Sequence, residues 1–120
     1  MAKKDAVVFD LNNTLRKNSG KPRHHILDKA KKDEKKEEVV VLSTEPEKGR
    51  NEARSWLNTH GLNKAELKMR PKGDVEHDEK VKEEVLKNKI SRQFKVKKAY
   101  DDKYSNVKMF KEHGIKAKKV

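Results

Sequence analysis

Two short, unbroken apolar runs constrain this chain more than any other feature: Ala6-Val7-Val8-Phe9, which leads into Asp10, and Val39-Val40-Val41-Leu42, which leads into Ser43. Neither alternates with polar residues, as a strand with one wet face would. Each has the length and composition of a strand buried on both sides, the habit of parallel sheets flanked by helices. The runs matter because so little else is apolar: hydrophobic residues make up 32% of the chain and charged residues 43%. That balance alone points to a solvated polyelectrolyte. Such a chain has no reason to gather valines in blocks between helix-like stretches, so a thinly cored folded domain is expected, one domain over residues 1–120.

Helical and strand-like segments follow one another along the chain. Asn12–Arg23 is rich in Asn, Ser, Gly and Pro and reads as a loop or small hairpin. His25–Glu38 carries Ile26, Leu27 and Ala30 at helical spacing. The second apolar run is expected to stop at Ser43-Thr44-Glu45-Pro46, because proline denies the ladder a donor. A helix over Arg50–His60 shows Ala53, Trp56 and Leu57 on one face and ends at Gly61. Ala65–Met69 reads as an edge strand. Asp78 is expected to cap a helix reaching Lys89, with Val81, Val85, Leu86 and Ile90 in one stripe. Phe94–Tyr100 reads as a fourth strand, Ser105–His113 as a short helix closed by Gly114, and Ile115–Val120 as a last strand. This alternation predicts an α/β fold: a three-layer, Rossmann-like, mostly parallel five-stranded sheet with helices on both faces. No inter-strand segment is long enough for a cap domain, so a minimal cap or none is expected.

Cysteine is absent, which removes disulfides, zinc–thiolate sites and cysteine nucleophiles. No apolar run approaches the roughly 20 residues of a membrane span or the 7–15 of a signal-peptide core. A cytoplasmic monomer is expected. Lys plus Arg outnumber Asp plus Glu by 32 to 20, a formal charge of +12, which draws phosphate-bearing partners such as nucleic acid. Most of these cations are lysines, and lysine cover also serves plain solubility. Lys31, Lys32, Lys35, Lys36, Lys95, Lys97, Lys98, Lys118 and Lys119 therefore read equally as a patch tracking a nucleic-acid backbone or as solvated surface. His24-His25 is a poor metal pair, because adjacent side chains diverge. Trp56 reads as core more than as a stacking platform.

In a doubly wound sheet, ligands bind beyond the carboxyl ends of the strands. Those ends gather one chemical set: Asp10 followed by Asn12, Asn13 and Thr14, then Ser43-Thr44, then Asp101-Asp102, with Lys82 on an intervening helix. Carboxylates and hydroxyls together suit phosphoryl transfer with a hard cation, and Mg²⁺ takes one or two carboxylates plus a substrate phosphate. Asp10 is the candidate nucleophile, and with Asp101 or Asp102 a candidate metal ligand. Ser43 can donate to a phosphate oxygen, and Lys82 can offset the charge of nucleophile and phosphate. Thr14 and Thr44 complete the candidate substrate-binding set.

The segment Phe9-Asp10-Leu11-Asn12-Asn13-Thr14-Leu15 resembles the first motif of the haloacid dehalogenase (HAD) superfamily of phosphatases, in which the nucleophilic Asp is followed by x-Asp-x-Thr. Val39–Ser43 is similar to the second motif, Lys82 to the third-motif lysine, and Tyr100-Asp101-Asp102 to the fourth-motif acidic pair. Arg70-Pro71-Lys72-Gly73-Asp74, Asp78 through Glu84, and Tyr100–Lys103 with Val107–Phe110 and His113-Gly114 resemble the phosphatase halves of phage polynucleotide kinase-phosphatases. The resemblance implies an aspartyl-phosphate mechanism with Mg²⁺ as cofactor, the backbone carbonyl of Asn12 among the metal ligands, and a polynucleotide 3′-phosphate as substrate.

Two positions depart from the pattern. The family's general acid and base falls at Asn12, which exchanges no proton as a carboxyl does. Such a group contributes about 10²–10⁴-fold, so a slowed enzyme is expected, and Asn12→Asp is expected to raise turnover about ten-fold or more. The second-motif hydroxyl is followed by Gly-Arg in polynucleotide phosphatases and by Thr44-Glu45 here. The chain also lacks the G-x-x-x-x-G-K-[ST] of a kinase domain. The expected function is a Mg²⁺-dependent phosphomonoester hydrolase, a polynucleotide 3′-phosphatase. The alternatives are a catalytically impaired module of the same fold that holds nucleic acid through its lysines, and an engineered or reduced version of the fold.

Overall fold

In a computed structural model, which describes residues 3–120, the two apolar runs lie side by side in parallel, Val7 opposite Val39 and Asp10 opposite Leu42. They belong to β1 (Lys4–Asp10) and β2 (Glu38–Pro46), joined by α1 (His24–Glu34). A 3-10 turn (Glu47–Gly49), α2 (Arg50–Thr59) and β3 (Glu66–Arg70) follow. Next come α3 (Asp78–Val85), a π-helical turn (Leu86–Ile90), the three-residue α4 (Ser91–Gln93), β4 (Phe94–Asp101), α5 (Tyr104–Glu112) and β5 (Lys116–Lys119). The sheet order is β3-β2-β1-β4-β5, and every neighbouring pair is parallel. The chain winds outward from β1 to β3 and then returns to the other side of β1. This leaves a crevice at the carboxyl ends of β1 and β4, the usual ligand position of such sheets.

Strand alternation divides the apolar runs between two cores. Val7, Phe9, Val39 and Val41 pack with Ile26, Leu27 and Ala30 of α1 and Ala53 and Leu57 of α2. Ala6, Val8, Val40 and Leu42 pack on the opposite face with Val81 and Val85 of α3, Leu86, and Met109 and Phe110 of α5. At about 1.5–3 kcal/mol for each large side chain removed from water, these two thin layers suffice to define three layers in all, helices on both faces of the sheet. Phe9 and Tyr100 stack across β1 and β4 with ring centres 4.9 Å apart.

Three expected boundaries move. α1 ends at Glu34, not Glu38, because Lys31–Glu38 offers the sheet no apolar residue, and Glu38 already opens β2. β2 does not stop after Leu42 but runs on to Pro46, which pairs with Arg70 after a shift in register. The proline is exposed there, where its missing donor leaves no buried acceptor unpaired. Asp78 is the first residue of α3 and not its cap, a position held by His77. Gly61 and Gly114 follow α2 and α5 with φ of 88° and 77°, the left-handed exit that glycine makes cheaply. Among the described residues, no helix is long and apolar enough to cross a membrane.

Candidate active site

β1 delivers Asp10 to the crevice, and the chain then turns back on itself. The amides of Thr14, Leu15 and Arg16 all donate to the Leu11 carbonyl, at 3.3, 3.0 and 3.0 Å. Asn13 takes a φ of 65°, a left-handed conformation that asparagine tolerates better than most residues. The turn brings the Thr14 hydroxyl over the strand end, where it donates to Asp10 Oδ2 at 3.0 Å. Thr14 is fully buried. Its hydroxyl orients the Asp10 carboxylate from beneath the cleft.

Lys82 enters from α3, one turn after Asp78. Its Nζ donates to Asp10 Oδ1 at 2.7 Å and to Asp101 Oδ2 at 2.5 Å, with 2% of the residue exposed. Burying an ammonium is costly unless it is paired. Burial pulls Lys82 downward, but Asp10 and Asp101 outweigh it and hold its pKa above that of an ordinary lysine. Burial likewise pushes Asp10 up to about 7, against the pull of Lys82 and with the help of the Asp101 charge. Asp101 Oδ1 accepts from the Lys103 amide at 3.0 Å and from Asn106 Nδ2 at 3.2 Å. One oxygen from each of Asp10, Asp101 and the half-buried Asp102 lies within 4.8 Å of the others. That all-oxygen donor set, with more negative charge than Lys82 balances, fits a hard divalent cation.

The cleft above Asp10 has a volume of about 90 Å³ and is lined by Ser43, Thr44, Lys82 and Asp102 among others. Larger open grooves exist, one of them among Lys4, Glu34–Glu38 and Lys64 at the other end of the sheet, but it holds no buried ionic cluster. Ser43 Oγ accepts the Glu45 amide at 3.1 Å, which leaves its own proton to donate into the cleft. The Thr44 carbonyl is engaged by Arg70 Nε at 2.9 Å. Arg70 and Lys103 both donate to Asp78, at 2.7 and 2.9 Å. The hydrogen bond from Lys103, with the charges of both cations, holds the Asp78 carboxyl below its ordinary range.

Asn12 lines the same cleft, yet both ends of its amide are occupied. Nδ2 donates to Glu45 Oε1, and Oδ1 accepts from Arg16 Nε at 3.0 Å. Arg16 is buried; it also donates to Glu45 Oε1 at 2.9 Å and to both Glu52 oxygens at 3.2 and 2.9 Å.

Residues 4–120 match the family of the polynucleotide kinase PNKP phosphatase domain. The chain belongs to this family. Its fold is that of the HAD-type phosphatase domains that make up this family. Two solved structures resemble it throughout: a chain of the Pnkp1/Rnl/Hen1 complex (TM-score 0.89, 21% identity, 99% of this chain and 48% of that one) and one of the Pnkp1/Rnl/Hen1 RNA repair complex (0.91, 21%, 98% and 42%). The core domain of an assigned phosphoglycolate phosphatase from Streptococcus pneumoniae TIGR4 is a more distant likeness (TM-score 0.55, 20% identity, 98% of this chain and 79% of that one). At these identities the likeness is one of fold, and the chain spans less than half the length of the Pnkp1-complex chains. No curated protein sequence matches it significantly.

Within this family member, Asp10, Ser43, Lys82, Asp101 and Asp102 converge as the strand ends imply, with Asn12 and Thr44 at the cleft wall. Arg16, Glu45 and Asn106 were not legible as site residues. Asn106, in the first turn of α5, carried a faint signal: asparagine is a poor helix former that is usually kept for a polar duty. Trp56 is half-buried against the first core and donates from its indole nitrogen to the Gly20 carbonyl at 2.8 Å, a loop anchor and not an open stacking face. His24 and His25 begin α1, outside the carboxylate cluster. The nine lysines are at the surface, all exposed but the half-buried Lys31.

Proposed function

We propose that this chain, residues 1–120 acting as one domain, hydrolyses phosphomonoesters through an aspartyl phosphate on Asp10, and that its substrate is the 3′-phosphate of a polynucleotide. The observation that carries the proposal is the Asp10 carboxylate, pinned by Lys82 and Thr14 beneath a small cleft beside Ser43 and beside two further carboxylates. Asp10, Asp101, Asp102 and the Asn12 backbone carbonyl are the proposed Mg²⁺ ligands. The bound ion supplies positive charge that offsets nucleophile and phosphate.

An Asp10 oxygen attacks phosphorus, the ester P–O bond breaks, and the leaving alkoxide takes its proton from solvent water, because position 12 holds no carboxyl to supply one. A water oxygen then attacks phosphorus, the P–O bond to Asp10 breaks, and inorganic phosphate departs as the carboxylate is restored. Ser43 and Lys82 steady the phosphoryl oxygens, and Lys82 keeps Asp10 and Asp101 from repelling each other. Asn12 cannot exchange the protons that both steps need, so the reaction is slow. Polynucleotide as the substrate class is supported by the family's name, by the RNA repair complexes among the structural neighbours and by the charge of +12. The lack of cysteine fits a reducing, cytoplasmic setting.

A second reading is favoured by the tied amide of Asn12: a binding module that holds nucleic acid without turnover. Hydrolysis of an aryl phosphate and of a 3′-phosphorylated oligonucleotide, with and without Mg²⁺, separates the two. Slow, Mg²⁺-dependent release of phosphate that Asp10→Asn abolishes is expected. No release from either substrate, combined with single-strand binding that weakens with salt at a log–log slope of about −0.7 per phosphate contact, would establish the module instead.

A further inference from the structure

Position 12 is where the proposed reaction lacks a proton carrier, and its surroundings explain more than the missing carboxyl. The Asn12 amide is held as a two-sided clamp, Nδ2 against Glu45 Oε1 and Oδ1 against Arg16 Nε at 3.0 Å. Both clamp residues are held by further contacts, and Arg16 Nη2 also donates to Glu45 Oε1 at 2.9 Å. The Glu45 amide is tied to Ser43 Oγ at 3.1 Å, and its side chain is 29% exposed. Arg16 is 8% exposed, gripped by Glu52 through two hydrogen bonds, with its guanidinium 5.5 Å from the Trp56 ring centre. Two carboxylates, Glu45 and Glu52, already face the one guanidinium.

We propose that Glu45 is a positioning residue of the hydrolytic site, and that its carboxylate decides which side chain can work at position 12. The amide of Asn12 suits the clamp because it brings one donor for Glu45 and one acceptor for Arg16. A carboxylate at 12 would keep the bond from Arg16 but turn an oxygen toward Glu45 Oε1 with no hydrogen between them. Like charges in hydrogen-bond contact repel strongly in a half-buried site, and the side chain would be driven from its place beside the cleft. Size is no obstacle, since aspartate and asparagine are nearly isosteric. The obstacle is Glu45. A glutamine at 45 would offer position 12 a donor and accept a carboxylate there.

The inference rests on the phosphatase reading, and the test keeps the two apart. Asn12→Asp is made in the parent, in Glu45→Gln and in Glu52→Gln, and kcat and KM for an aryl phosphate are measured in saturating Mg²⁺. The last background also removes a carboxylate from Arg16, but not the one that touches Asn12. Asn12→Asp is expected to change kcat less than about three-fold in the parent and in Glu52→Gln, in place of the ten-fold gain that the missing carboxyl alone implies, and to raise it about ten-fold or more in Glu45→Gln, where a positioned carboxyl can act. KM stays unchanged throughout. A ten-fold gain already in the parent overturns the role of Glu45 and leaves the phosphatase reading intact. So does an equal gain in the two single backgrounds, which would make bulk charge the cause. No gain in any background, with turnover still dependent on Asp10, overturns the inference and the importance of position 12 together. No turnover in any form removes the phosphatase reading itself, and the inference with it.

Discussion

Lys82 and Lys97 each bridge two carboxylates, at opposite ends of one sheet. Lys97 lies 2.9 Å from Glu37 and 3.6 Å from Asp5, with side chains 44%, 23% and 47% exposed. Lys82 lies 2.7 Å from Asp10 and 2.5 Å from Asp101, with side chains 2%, 9% and 1% exposed. The pairing is alike and the consequence is not. Water already solvates the Lys97 cluster, which the fold would hardly miss. The Lys82 cluster keeps three charges out of water, where replacement by apolar residues is often neutral or stabilising. Asp10, Thr14, Arg16, Ser43, Lys82, Asp101 and Asn106 are the buried polar side chains of the described residues, and all lie at the carboxyl end of the sheet. Folding alone does not ask for that concentration; a reaction that handles charge does.

The largest effect should follow from removing the buried cation. Lys82→Met leaves Asp10 and Asp101 facing each other without the buried cation, which costs about 3–5 kcal/mol and abolishes turnover. Urea unfolding with and without Mg²⁺ measures it, with part of the loss recovered by the ion. A cost close to that of an exposed pair would erase the distinction between the two lysines.

Asp78 is intermediate, its side chain 38% exposed and shared by Arg70 and Lys103. Asp78→Asn should cost under about 1 kcal/mol once solvent screening is allowed for. Its folded pKa is depressed below the ordinary 3.8, so the unfolded chain takes up the proton first as pH falls. The stability difference between parent and variant should therefore hold from neutral pH to near 4 and vanish below the lowered value. A difference that grows with acid would contradict this.

Lys97→Ala should do least. Its thermal midpoint is expected to match that of the parent within error, and a clear drop would show that the exposed cluster is held more firmly than its exposure indicates.

The same contrast accounts for what could be read from sequence. Ala6–Phe9 and Val39–Leu42 announce a parallel sheet because continuous apolar runs have few other uses, and the sheet's strand ends then nominate Asp10, Ser43 and Asp101-Asp102. Arg16 and Glu45 were illegible because each depends on a tertiary event. The left-handed turn at Asn13 folds Arg16 back beside Asn12, and β2 continues past Leu42 to carry Glu45 alongside. Thr14 carried the right chemistry, but nothing local showed that its hydroxyl would be spent on Asp10.

Asp10 is the nucleophile on which the proposed reaction turns. Incubating the protein with an aryl phosphate and Mg²⁺, reducing any acyl phosphate with borohydride, and mapping the modified residue by mass spectrometry tests it in one step. The label is predicted at Asp10 alone, absent when Mg²⁺ is chelated and absent in Asp10→Asn. Modification at another residue, or turnover that persists in Asp10→Asn, would contradict the account.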